Sequence, residues 1–89
     1  MTEVSYSTSF RKAYKRRILS DRLLSERFVE RLEIFKIDPF DLRLRTHKLS
    51  GRLEGLYSFR VDADVRVIFY FKEAQHAVFV DIGTHDEIY

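Results

Sequence analysis

With no cysteine in the chain, the three histidines are the side chains best suited to exchanging a proton near neutral pH. Two of them fall in its turn-rich half: His47 in Arg45–Asp64 (RTHKLSGRLEGLYSFRVDAD) and His85 in Asp81–Tyr89 (DIGTHDEIY). Arg45, Lys48, Arg52, Arg60 and Arg66 lie in or beside the first stretch, and Asp64 closes it. Histidines near permanent cations suit proton transfer beside a bound anion. Spacing argues against a metal, because neither HxxxH nor HxH occurs to preorganise one.

The charge distribution points the same way. Net charge is only +2, but from Leu42 to Leu53 there is no acidic residue, and a second basic group runs through Arg11, Lys12, Lys15, Arg16 and Arg17. After Arg66 the balance turns acidic, with Glu73, Asp81, Asp86 and Glu87. Such segregation suits a polyanion or an acidic peptide as partner. On the first helix the basic residues read as a solvated face; in the acid-free loop they read as functional.

These groups need a scaffold. At 89 residues the chain has room for one modest core, so residues 1–89 are expected to form a single domain. A hydrophobic fraction of 45% against 34% charged residues is the balance of a globular protein rather than a disordered one. No apolar run is long enough to span a bilayer, and the N-terminus lacks a signal-peptide core, so a cytoplasmic location is expected.

Val4–Ser9 alternates as a short strand, and Ser7 or Ser9 is placed to cap the next element. Phe10, Tyr14 and Ile18 recur at helical spacing. Ser20-Asp21 marks a turn or a second N-cap, after which Leu24, Phe28, Leu32 and Phe35 form a helical stripe that Val29 widens. Asp38-Pro39 ends that helix. Phe40–Gly55 reads as a long ordered connection pinned by Leu42, Leu44, Leu49 and Leu53. Three strands come after it: Leu56–Val61, Val65–Phe71 and Ala77–Ile82. A turn centred on Ala63 sets Arg60 across from Arg66, an opposition of like charges that costs stability unless an anion or carboxylate lies between them. The order β-α-α-β-β-β predicts a two-layer α+β fold, two N-terminal helices packed on a small antiparallel sheet.

LRTHKLSGRLEGLYSFRVDADVRVIFYF and DIGTHDEIY resemble the RelE/ParE superfamily of type II toxins, in its YafQ-like branch. The likeness extends over nearly the whole chain in element order. It implies a RelE-like fold and an mRNA interferase, a small endoribonuclease that cuts messenger RNA on the ribosome. It also implies a cognate antitoxin that neutralises the toxin. The branch's loop histidine matches His47, its hairpin aspartate Asp64, its C-terminal histidine His85 and its terminal aromatic Tyr89; the superfamily's strand arginine matches Arg66. The best-known member carries a catalytic histidine where this chain has Arg60, and a tryptophan where it has Val65. Arg60 cannot shuttle a proton, though it can grip phosphate.

For such a reaction no metal or other cofactor is required. The 2′-hydroxyl attacks the neighbouring phosphorus, one group takes its proton, another protonates the leaving 5′ oxygen, and cations stabilise the phosphorane. The expected assignment is His85 as general acid, His47 or Asp64 as general base, and Arg66 on the phosphate. Arg60, Lys48, Arg45 and Arg52 would hold the backbone, and Tyr89 would stack on a base. Each residue also has a plainer explanation: His47 as a solvated loop residue, His85 as a strand cap, Asp64 as a turn former, Tyr89 as a core edge. His76 reads as surface only. Two other functions stay open: a ParE-like toxin that binds DNA gyrase without cutting RNA, whose members generally lack the histidine pair, and a degraded toxin retaining antitoxin contact.

Overall fold

A computed structural model describes residues 1–89. Its order is β1 (Glu3–Tyr6), α1 (Thr8–Arg17), α2 (Arg22–Ile37), β2 (His47–Lys48), β3 (Tyr57–Arg60), β4 (Val65–Glu73), β5 (His76–Thr84) and α3 (His85–Ile88). Short 3₁₀ turns at Leu42–Leu44 and Gly51–Leu53 flank β2. The five strands form one sheet in the order β1-β5-β4-β3-β2. The α+β class with two helices before the main sheet is that expected, with three refinements: the long connection contributes a fifth strand, β2, the chain ends in α3, and the sheet is antiparallel from β2 to β5 while β1 joins β5 in parallel.

Both main helices start where polar side chains can accept the free amides of a first turn. Ser7 accepts from the Phe10 amide at 3.0 Å and Asp21 from Leu24 at 3.1 Å. Of the α2 stripe, Phe28, Leu32 and Phe35 are buried. Val29, expected to widen it, is 53% exposed instead. Phe35 is the hub of the core, with ring centroids 5.0 Å from Phe59, 5.0 Å from Phe69 and 5.1 Å from Phe79. Rings from β3, β4 and β5 thus converge on one helical residue, and truncating such a side chain costs about 3–5 kcal/mol.

β1 covers β5 only as far as Phe79. Beyond it the edge of β5 is closed by α1, where the Ser9 hydroxyl donates to the Val80 carbonyl at 2.7 Å and Arg17 donates to the Ile82 carbonyl at 2.9 Å. Side chains thereby satisfy acceptors that a strand neighbour would otherwise take. His76 is more than surface: its Nε2 lies 2.6 Å from the Ser5 hydroxyl and ties β1 to β5.

The long connection is ordered, as expected, but its anchors differ. Leu44 is fully buried while Leu42 is 92% exposed, because the 3₁₀ turn points the two leucines in different directions. Leu49 and Leu53 are half-buried. Arg45 comes after that turn in the left-handed region at φ 51°, reversing the chain into β2. The pairs His47 with Ser58 and Lys48 with Tyr57 then place the loop histidine at the rim of the sheet.

Candidate active site

A cleft of about 390 Å³ opens between the 47–53 segment, β4 and α3. It is lined by His47, Lys48, Ser50, Arg52, Arg66, His85 and Tyr89, with Leu49 and Leu53 as its apolar wall. No aspartate or glutamate lines it. Residues 38 positions apart in the chain, His47 and His85, share this one space because β2 and the end of β5 flank the same end of the sheet.

His47 is oriented by its own loop. Its Nδ1 lies 3.0 Å from the Arg45 carbonyl, which can only accept, so Nδ1 carries the proton. In the neutral ring Nε2 is then the free acceptor. That nitrogen lies 3.5 Å from the Ser58 hydroxyl, at the outer limit of a hydrogen bond.

His85 is the first residue of α3. Thr84 caps this helix, accepting from the Glu87 amide at 3.3 Å while Glu87 accepts from the Thr84 amide at 2.7 Å, a reciprocal capping box. The bond from the Thr84 amide, together with the Thr84 hydroxyl and nearby Arg17 and Arg16, holds the Glu87 carboxyl below its ordinary pKa. Four residues on, Tyr89 lies with its ring 4.6 Å from that of His85 and tilted by 42°. Arg52 donates to the Tyr89 carbonyl at 3.3 Å, joining the basic loop to the tail.

Arg66 lies on the floor. It pairs with Arg60 on β3 and with Gly83 on β5. Its Nε is buried and has no hydrogen-bond partner in the protein, nor does the arginine form an ion pair. Asp62 does not serve it: one Asp62 oxygen accepts the amides of Asp64 (2.9 Å) and Val65 (2.8 Å), closing the hairpin. A buried guanidinium N–H without a partner is costly unless an acceptor is supplied from outside.

A family model described as a bacterial toxin of type II toxin-antitoxin systems, YafQ, matches residues 2–89. The chain belongs to the YafQ toxin family. Solved structures support the same fold. YafQ from E. coli strain BL21(DE3) superposes with TM-score 0.76 at 20% identity, covering 100% of this chain and 99% of that one. A YoeB/ParE toxin from Agrobacterium tumefaciens gives 0.78 at 19% identity over 94% and 99%. A YoeB-YefM complex from Staphylococcus aureus gives 0.75 at 17% over 96% and 98%. Among curated proteins none matches the sequence.

In this YafQ-family chain, the candidates His47, Lys48, Arg52, Arg66, His85 and Tyr89 gather around the cleft. Asp64, Arg60 and Arg45 do not line it. Asp64 is exposed in the hairpin and its carboxylate makes no hydrogen bond or ion pair. Arg60 lies one strand further out, and Arg45 contributes its carbonyl to His47 rather than its charge. Ser50 and Ser58, which sequence reasoning does not single out, contribute a polar wall and a neighbour for His47. Their only signal is alternation along β3 and a turn-forming serine before Gly51.

Proposed function

We propose that this type II toxin is an endoribonuclease that cuts messenger RNA at the His47–His85 cleft. One observation carries the reading: two histidines, three cations and an aromatic surround a space that no aspartate or glutamate lines, and one of those cations has a buried nitrogen without a partner. In this scheme the His47 Nε2 takes the 2′-hydroxyl proton and the 2′ oxygen bonds to phosphorus. The bond from phosphorus to the 5′ oxygen breaks, and that oxygen is protonated by His85. The products are a 2′,3′-cyclic phosphate and a 5′-hydroxyl. Arg66 neutralises the phosphorane charge, with Lys48 and Arg52 on the flanking phosphates. Tyr89 offers its ring to an unpaired base. The position of Asp64 outside the cleft favours His47 over it as base.

A cognate antitoxin is the expected partner, and the Staphylococcus YoeB-YefM complex is the precedent among proteins of this fold. Away from the cleft, Tyr6, Phe10, Tyr14, Leu19 and Phe28 line an apolar groove rimmed by Arg11 and Lys15, suited to an amphipathic segment with acidic residues.

Primer extension on a reporter mRNA, after brief induction of the chain beside a His85→Ala version, tests the enzyme. Discrete in-frame cuts that vanish in the mutant support a nuclease acting on the translating ribosome. Intact mRNA with growth still arrested would point to gyrase binding, and intact mRNA with normal growth to an inactive binding module.

A further inference from the structure

Arg17 ends α1, 68 residues before His85, yet it reaches the helix that His85 opens. Its Nη1 donates to Asp81 Oδ1 at 3.1 Å and to the Ile82 carbonyl at 2.9 Å, and its Nε lies 3.6 Å from Glu87 Oε2. The Arg17 side chain is 18% exposed against 34% for Asp81 and 40% for Glu87, so the guanidinium is held within the protein while its carboxylate partners stay partly in solvent. Glu87 is also the residue that completes the Thr84 capping box. A helix of four residues gains little from propagation, so what holds α3 is this box and the contacts reaching it from outside.

Gly83 supplies the passage. A Cβ there would come within 2.8 Å of Arg17 Nη1 and 2.9 Å of Glu87 Oε1. Its φ is not positive, so the backbone makes no demand for glycine; the space between Arg17 and Glu87 does.

We propose that Arg17 is a positioning residue. Its guanidinium clamps α3 onto β5 so that His85 and the Tyr89 ring face the cleft, while Arg17 itself touches no RNA. The catalytic consequence rests on the ribonuclease reading above; the clamp itself does not. Arginine is required because its fork spans Asp81, the Ile82 carbonyl and Glu87 together. A lysine nitrogen could keep the β5 contacts but not Glu87 as well.

The test compares the full chain with Arg17→Lys and Gly83→Ala. It reads kcat and KM for cleavage of a defined mRNA on programmed ribosomes, backbone amide exchange by NMR, and thermal unfolding. Both variants should keep the cooperative melt and the protected amides of β4 and β5, while Glu87 and Ile88 exchange as freely as unstructured chain. Cleavage kcat should fall about tenfold to a hundredfold with KM unchanged, as expected for a displaced acid. Wild-type kcat in both variants, or a lowered kcat with α3 still protected, overturns the proposal. Should Arg17→Lys melt early, Glu87→Gln decides, since its amide oxygen can still complete the capping box while the attraction to Arg17 is lost. If the wild-type chain cuts no RNA, the ribonuclease reading falls and exchange decides the clamp: loss of protection confined to α3 sustains it, and unchanged protection overturns it.

Discussion

Arg60 and Arg66 stand directly opposite each other across β3 and β4, and neither is paired with a carboxylate. The fold therefore holds an electrostatic strain next to the cleft that a bound phosphate would relieve. Removing one arginine should not weaken the fold, since like charges facing across strands are destabilising. Arg66→Ala is expected to lower kcat by about a hundredfold to a thousandfold, as loss of a charge-stabilising donor does. Its thermal midpoint should stay level or rise. Arg60→Ala, one strand further out, should leave kcat within about tenfold and raise KM instead. Steady-state cleavage and thermal melts read both.

The two histidines should separate by leaving-group chemistry. His47→Ala and His85→Ala should each cost about 10²–10⁴ in cleavage rate. A substrate with sulfur in place of the leaving 5′ oxygen needs no acid, so it should restore cleavage by His85→Ala and not by His47→Ala. Rescue of both variants, or of neither, would contradict the division of roles. Asp64→Asn should leave the rate within about tenfold.

Leu42 and Leu44 provide a control for the connection that presents His47. Leu44 is fully buried and its truncation to alanine should cost about 2–5 kcal/mol in chemical denaturation. Leu42 is 92% exposed, and the same change there should stay within about 0.5 kcal/mol. Similar losses at both positions would mean that Leu42 too is held against the protein.

Asp41 caps the first 3₁₀ turn and receives the Arg43 guanidinium at 3.0 Å through each of its oxygens. Hydrogen bonds from the Arg43 side chain and amide, with the charges of Arg43 and Arg31, lower its pKa from 3.8 to about 2. Because the folded value lies below the unfolded one, the contribution to stability is present above 3.8 and is lost as pH falls towards about 2. NMR titration should place the Asp41 midpoint near 2, and Arg43→Ala should return it towards 3.8. An unmoved midpoint in the variant would assign the shift to the residue 43 amide and Arg31 instead.

Legibility in the sequence differs between local and distant features. The caps at Ser7 and Asp21, the stop before Pro39 and the Arg60–Arg66 opposition are all set by spacing within about ten residues. Periodicity misplaces Val29 because it puts an apolar residue on a face without saying what covers that face, and apolar character alone misplaces Leu42 as an anchor of the connection. The role of His76 is invisible to it because the partner, Ser5, lies 71 residues away.

The sequence by itself determined the two main helices, the strands β1, β3, β4 and β5, and the residue types for proton transfer beside cations, since these depend on local periodicity and on chemistry carried by single side chains; β2 and α3, too short to show a period, it did not. Its family motifs also marked the histidine, arginine and tyrosine positions. Only the tertiary structure decided which of them meet. Strand order and register bring His47 to His85 and leave Asp64 outside the cleft. The parallel pairing of β1 with β5, and the passage left by Gly83 for Arg17, depend on close approach between segments distant in the chain. No local pattern encodes such contacts, because they arise from the joint packing of elements that are each specified separately.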